Sequence, residues 1–227
     1  MSASSKSTSV IGKPRLRGVL HSYAAFASLA AGLILFTLVR TPEIKISLAV
    51  YISSLVLLYG SSSLYHWPTW ELVTRSWLRR LDHASIYCLI AGTYTPICVI
   101  ILSGPEAHKL LTFIWGSAFV GILHQLFWPG GPKWVSACVY VFMTLAAWFY
   151  GANMTAKLTI GQSQLLVAGG IFYVIGAASY AAHWPNLSPG VFGYHELFHT
   201  FVMAASACHF ACITNLLQTD FTRGLHD

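Results

Sequence analysis

Charged side chains are scarce in this sequence of 227 residues, because Asp, Glu, Lys and Arg together make up only 9% of it. A soluble globular domain carries roughly 25% charged residues, and a chain this short must keep much of its surface exposed. Hydrophobic residues account for 56% of the chain. The composition therefore excludes an ordinary soluble domain and predicts a surface that faces lipid.

The sequence also lacks a cysteine pattern typical of disulfide-bonded proteins, and it has few acidic residues. The five cysteines all lie in apolar segments, and none belongs to a C-x-x-C pair, so we expect no disulfide scaffold. The net charge of +6 comes from 13 basic and 7 acidic residues. The basic residues lie in short loops and in the N-terminal segment, which predicts orientation in a membrane rather than a nucleic-acid partner.

Seven apolar segments are each long enough to cross a bilayer, which requires about 20 mostly apolar residues. Lipid leaves no partner for unpaired backbone groups, and the segments show no alternation of polar and apolar residues, so we predict helices. The predicted fold is an all-α bundle of seven transmembrane helices over residues 19–217, between a disordered basic tail at 1–18 and a short tail at 218–227. The predicted spans are 19–39, 45–66, 82–103, 110–128, 134–151, 164–183 and 195–217.

The distribution of basic residues predicts how the bundle is oriented. If the N-terminus is cytoplasmic, eight basic residues face the cytoplasm and five face the other side. Most of the excess lies in the N-terminal tail and in the second loop. We therefore predict a multi-pass protein of the plasma membrane or an endomembrane, with a cytoplasmic N-terminus and the C-terminus on the opposite side.

Three polar stretches interrupt spans that are otherwise apolar. Ser62–His66 ends the second span, Asp82 and His83 open the third, and His195–His199 opens the seventh. Ionisable groups inside membrane spans are costly, and by default they indicate a functional site. The second span ends on the side where the third and seventh begin, so the stretches lie at a similar depth, near the predicted cytoplasmic face.

The spacing within these stretches favours a metal site. Residues four apart share a helix face, so His195 and His199 can bind one ion, and Ser62 shares a face with His66. Three histidines with an open position are typical of catalytic zinc, whose bound water ionises near neutral pH. Asp82 could orient that water or accept its proton, and Ser62 could hydrogen-bond an oxyanion or a ligand imidazole.

Position alone leaves other interpretations open. A polar cluster that stabilises the bundle without a metal explains the stretches equally well. Haem held by two histidines is a weaker alternative, because it needs neither Asp82 nor a third histidine. Four further histidines are expected on the same side of the membrane: His21, His83, His124 and His183.

Five motifs follow one another along the chain. They are Ser62-x-x-x-His66, Leu81-Asp82-His83-Ala84-Ser85-Ile86, Leu89–Pro96, Trp184-Pro185-Asn186-Leu187 and Phe192–His199. Together they resemble the haemolysin III family, within the progestin and adipoQ receptor superfamily. The resemblance covers nearly the whole chain. Only about 18 residues precede the first span, which favours the haemolysin III branch over the receptor branch with its longer N-terminal region.

The resemblance implies a bundle with zinc near the cytoplasmic face, bound by His66, His195 and His199. It also implies that Asp82 holds the zinc-bound water and that Ser62 acts beside it. Alkaline ceramidases belong to the same wider superfamily. The resemblance therefore implies a zinc-dependent hydrolase whose substrate is a membrane lipid amide such as ceramide.

Two other functions remain open at the level of sequence. One is a receptor or regulator of lipid or metal homeostasis in which zinc is structural, since Asp82 as a fourth ligand would close the site. The other is a pore-forming haemolysin. The sequence contains no ring of charges and no amphipathic pore-lining span of the kind that channels use.

Overall fold

The architecture is helical throughout the part of the chain that the computed structural model describes. That part comprises residues 14–102, 104–128, 130–131, 135–136, 138–140, 142–144, 156–188 and 190–223. Within it, the only strand-like pairing is an isolated bridge between Ser188 and Phe192. The long helices are α1 (Val19–Leu38), α2 (Pro42–His66), α3 (Leu72–Ile101), α4 (Pro105–Phe127), α5 (Ile160–Ala182) and α6 (Tyr194–Arg223).

These six helices are each long and apolar enough to cross a membrane. The prediction of an all-α multi-pass membrane protein is therefore confirmed. The predicted span at 134–151 lies largely outside the described residues, and its described pieces, 135–136, 138–140 and 142–144, are helical. The count of seven spans and the orientation of the termini stay predictions. In the two predicted tails, residues 1–13 and 224–227 lie outside the described part, whereas residues 15–18 form a turn before α1.

Several helices begin earlier than the apolar spans predicted, because their first turns are polar. Pro42 and Pro105 occupy the first turns of α2 and α4, where a proline costs no hydrogen bond. Thr159 caps α5: its hydroxyl accepts a hydrogen bond from the backbone N–H of Gln162, and its own backbone N–H donates to the side-chain oxygen of Gln162. Hydropathy detects the apolar part of a helix, so it places the start of the helix too late.

The largest such difference is in α3, where the predicted break from residue 67 to residue 80 was too long. The chain leaves the helical conformation only between His66 and Leu72. The residues after Glu71 include no glycine or proline before Gly92, and leucine and arginine are good helix formers. The 30-residue helix is about 45 Å long, longer than the roughly 30 Å hydrocarbon layer. Its basic first turns therefore extend beyond the apolar span.

The core lies where α2 and α3 pack together and contact their neighbours. Helix α1 packs on α2 and α6, α4 packs on α3, and α5 packs on α6, while α3 also contacts α6. Tyr51 of α2, Tyr87 of α3 and Ile213 of α6 are completely buried. Large apolar side chains such as Phe26 and Val174 are exposed on the outside, as a lipid-facing surface requires.

Gly92 allows α2 and α3 to approach each other closely. A Cβ atom at Gly92 would overlap both side-chain atoms of Ser54. We expect Gly92→Ala to lower the stability by about 1–3 kcal/mol, the usual cost of overpacking. Thermal unfolding in detergent measures this effect. Gly116→Ala on α4 is the matched control, because no atom in the described part of the chain lies within 4 Å of the added Cβ. Equal melting temperatures for the two variants would contradict the predicted overlap.

Candidate metal centre

The polar stretches meet at one end of the bundle, called here the site end. Helix α2 ends there with His66, and α6 begins there with Tyr194 and His195. Asp82 lies ten residues after Leu72, the first residue of α3, and so follows the first turns of that helix. Residues separated by more than one hundred positions are thus brought together by the antiparallel course of the helices.

His66, His195 and His199 form a compact group of imidazoles. Each offers one ring nitrogen, and the three nitrogens all lie within 4.8 Å of one another. The Nε2 atoms of His66 and His195 are 3.2 Å apart. His195 and His199 lie one turn apart on the same face of α6, as their spacing predicted. His199 is 4% exposed and His66 is 9% exposed, so the group is largely withdrawn from solvent.

One separation in this group matches the spacing of ligand nitrogens in a tetrahedral metal site. Zinc–nitrogen bonds are about 2.0–2.1 Å, which places neighbouring ligand nitrogens roughly 3.3 Å apart in a tetrahedral site. The 3.2 Å separation of the two Nε2 atoms agrees with that spacing. Neutral imidazoles supply lone pairs to a cation without adding charge of their own. The three histidines could therefore hold a divalent metal, and imidazole ligands suit zinc among several transition metals.

Asp82 and Ser62 lie directly beside this group. The Oδ2 atom of Asp82 is 3.8 Å from the Nε2 atom of His66, which is beyond hydrogen-bond distance but within the range of an ion pair. The Ser62 side chain lies beside the Asp82 carboxyl group. Ser62 is buried and lies one turn before His66 on α2. The structure thus brings all five predicted site residues together, while their roles as ligands or catalysts stay predictions.

The tertiary structure shows which of the four other histidines contacts the site. His21 of α1 stacks flat on His199, with ring centroids 3.9 Å apart, and it is 3% exposed. His83, His124 and His183 do not belong to the cluster of potential ligands in the described part of the chain. His124 lies against Trp128, and His183 lies against Tyr194. His21 is therefore a contact of the site, although its sequence position gave it no preference over the other three.

An ion pair between Arg17 and Glu196 lies beside the group and was not predicted from the sequence. The Nε atom of Arg17 donates to Oε1 of Glu196, and the backbone N–H of Gly193 donates to Oε2 at 2.8 Å. Glu196 is 1% exposed. A carboxylate at the start of a membrane span needs a cationic partner. The position of Glu196 in the sequence therefore indicated that a partner exists. The partner is 179 positions away in the sequence, so only the fold identifies it.

Comparison with known proteins places the whole of this site within one family. The profile of the family described as "Haemolysin-III related" matches residues 10–210, which include every residue of the candidate centre. The chain belongs to the haemolysin III family. The resemblance seen in the sequence motifs is therefore confirmed.

Relatives of this haemolysin III protein come from bacteria and animals. "Hemolysin-3" of Bacillus cereus is 33% identical over 198 residues, which cover 86% of this chain and 87% of the relative. "Hemolysin-3 homolog" of Bacillus subtilis (strain 168) is 33% identical over 168 residues, covering 74% and 76%. "Monocyte to macrophage differentiation factor" of Homo sapiens is 28% identical over 192 residues, covering 80% and 76%. The last similarity extends the relationship to the wider progestin and adipoQ receptor superfamily.

Proposed function

We propose that this protein is a zinc-dependent membrane hydrolase that cleaves the amide bond of a lipid such as ceramide. The observation that carries the proposal is the cluster of His66, His195 and His199, with Asp82 3.8 Å from one of its nitrogens. Three imidazoles and an adjacent carboxylate are the donor set of many hydrolytic zinc sites. The lipid amide follows from the resemblance to the superfamily that includes alkaline ceramidases.

The residues of the site have two main roles in the proposed reaction, as metal ligands and as the proton acceptor. His66, His195 and His199 would hold the zinc ion, which supplies Lewis acidity and a water that ionises near neutral pH. Asp82 is the general base, because its carboxylate lies beside the ligand group and accepts the proton of the attacking water. Ser62 lies beside Asp82 and would help to orient its carboxylate. The same carboxyl group then returns the proton to the leaving amine.

The surroundings of the site suit a substrate that arrives from the bilayer. The polar groups lie at one end of helices whose outer surfaces are apolar, so a lipid can place its acyl chain in the membrane and its amide at the site. We place the site end on the cytoplasmic side, on the strength of the basic N-terminal segment and the basic start of α3.

The first test is the metal content and activity of the wild-type protein. We expect purified protein to contain about one zinc per chain, measured by mass spectrometry of the metal, and to release fatty acid from ceramide in mixed micelles. Removal of zinc by a chelator should abolish release, and added zinc should restore it. Protein that binds no zinc at any concentration would contradict the proposal.

Two other results would point to the alternative functions. Zinc-loaded protein that hydrolyses no lipid amide would favour a receptor or regulator in which zinc is structural. A pore is favoured by the name of the relative "Hemolysin-3". Release of a dye from liposomes that contain the purified protein, without hydrolysis of their lipids, would support that function instead.

A further inference from the structure

The chain before α1 runs beside the candidate metal centre. Residues 14–18 are called here the N-terminal strap. The backbone N–H of Arg15 donates to the carbonyl of Gly190 at 3.1 Å, and that of Leu16 donates to the carbonyl of Val191 at 3.4 Å. The strap is therefore fastened by two successive backbone hydrogen bonds to the loop that leads into α6. This loop ends at the turn that bears His195.

Arg17 fastens the strap to α6 itself. Its guanidinium binds Glu196, which lies between His195 and His199 in the first turns of α6. Glu196 is 1% exposed, whereas the Arg17 side chain is 23% exposed. A carboxylate buried this completely depends on its cation, because removal of one partner leaves an uncompensated charge. The ion pair thus links the strap to the beginning of α6.

The end of the strap also contacts the other helix that bears a ligand. Gly18 has a φ of +83° and lies against the end of α2, where an added Cβ would be 3.0 Å from Cβ of His66 and 2.7 Å from the backbone nitrogen of Trp67. One turn further along α1, His21 stacks on His199. The strap and the first turn of α1 therefore touch both ligand-bearing helices.

We propose that the N-terminal strap holds the two halves of the metal centre in register, and that Arg17 is its principal positioning residue. The proposal rests on the proposed zinc site. His66 is on α2, and His195 and His199 are on α6, so binding one ion requires these two helix ends to keep a fixed separation. The strap is bonded to α6 through Arg17 and packed on α2 through Gly18, which makes it a direct connection between them.

The test compares Arg17→Ala with Arg15→Ala in the full-length protein. Both variants remove one arginine from the strap. Arg15 is exposed, and its contact with the loop uses its backbone N–H, which alanine retains. We expect Arg17→Ala to weaken zinc binding about 10- to 100-fold, the usual effect of losing a group that orients metal ligands. Arg15→Ala should bind zinc like the wild type, and Arg17→Lys should recover part of the loss.

A spectroscopic signal separates positioning from a general loss of stability. Bound Co²⁺ gives visible absorption that depends on the geometry of its ligands, and we expect Arg17→Ala to change that spectrum while Arg15→Ala leaves it unchanged. If Arg17→Ala does not fold, Arg17→Ala combined with Glu196→Gln replaces it, because the double variant leaves no unpaired carboxylate. Weakened zinc binding and a changed cobalt spectrum in the folded double variant would support the proposal.

Two outcomes would overturn the proposal, and only the second would also contradict the proposed zinc site. Wild-type zinc affinity and an unchanged cobalt spectrum in folded Arg17→Ala, or in the double variant, would show that the strap does not position the ligands, while the proposed zinc site stands. Wild-type protein that binds neither Zn²⁺ nor Co²⁺ would remove both the zinc site and the role of the strap.

Discussion

Replacing His195 with alanine is expected to weaken zinc binding by more than about 100-fold, beyond the 10- to 100-fold range typical of residues that only orient a ligand. The loss follows from the geometry, because His195 supplies the nitrogen that lies 3.2 Å from His66 and shares a face of α6 with His199. Without it, only two nitrogens of the group remain. Zinc content after purification and titration with a fluorescent zinc indicator measure the effect.

His66→Ala should have the same effect, although His66 lies on a different helix. The agreement of the two variants is the informative result, since a site formed by α6 alone would tolerate the change on α2. His108→Ala is the control: His108 is an exposed residue near the start of α4, and its ring hydrogen-bonds to the carbonyl of Gly104. Unchanged zinc binding in both His66→Ala and His195→Ala would exclude the proposed ligands.

Asp82→Asn is expected to reduce lipid amide hydrolysis by about 10²- to 10⁴-fold while zinc remains bound. Loss of a general base typically has this effect on the rate, and asparagine keeps the shape of the side chain but cannot accept the proton. Asp82 lies 3.8 Å from His66 and has Ser62 beside it, so its position is suited to this role. The measurement combines the initial rate of fatty-acid release with the zinc content of the same sample.

Ser62→Ala provides the graded comparison for Asp82→Asn. Ser62 helps to orient the Asp82 carboxylate but does not itself accept the proton. We therefore expect Ser62→Ala to reduce the rate less than Asp82→Asn does, with zinc retained. Loss of zinc from Asp82→Asn would mean that the aspartate is a fourth ligand. That result would favour a closed structural site and would exclude the role of Asp82 as general base.

The helices and their membrane character were predictable from local sequence. Runs of about 20 apolar residues can satisfy their backbone groups in lipid only as helices or barrel strands, and these runs show no alternation. The ends of the helices were less predictable, as α3 demonstrates. Its start at Leu72 depends on backbone continuity through basic turns, which hydropathy does not detect.

The candidate site was predictable in part. The four-residue spacing within Ser62–His66 and within His195–His199 determines which side chains share a helix face, because that spacing is a local property of the helix. The alternating direction of the spans indicates that these faces reach the same end of the bundle. Family resemblance then favoured His66 among histidines that spacing and topology alone could not distinguish.

The sequence by itself determined that this is a helical membrane protein with polar groups gathered at one end, because helix formation and partition into lipid depend on local composition. Only the tertiary structure decided which of these groups meet. It placed His21 on His199 and paired Arg17 with Glu196 across 179 positions. Such contacts depend on how helices rotate and pack against one another, and no local pattern in the chain encodes that arrangement.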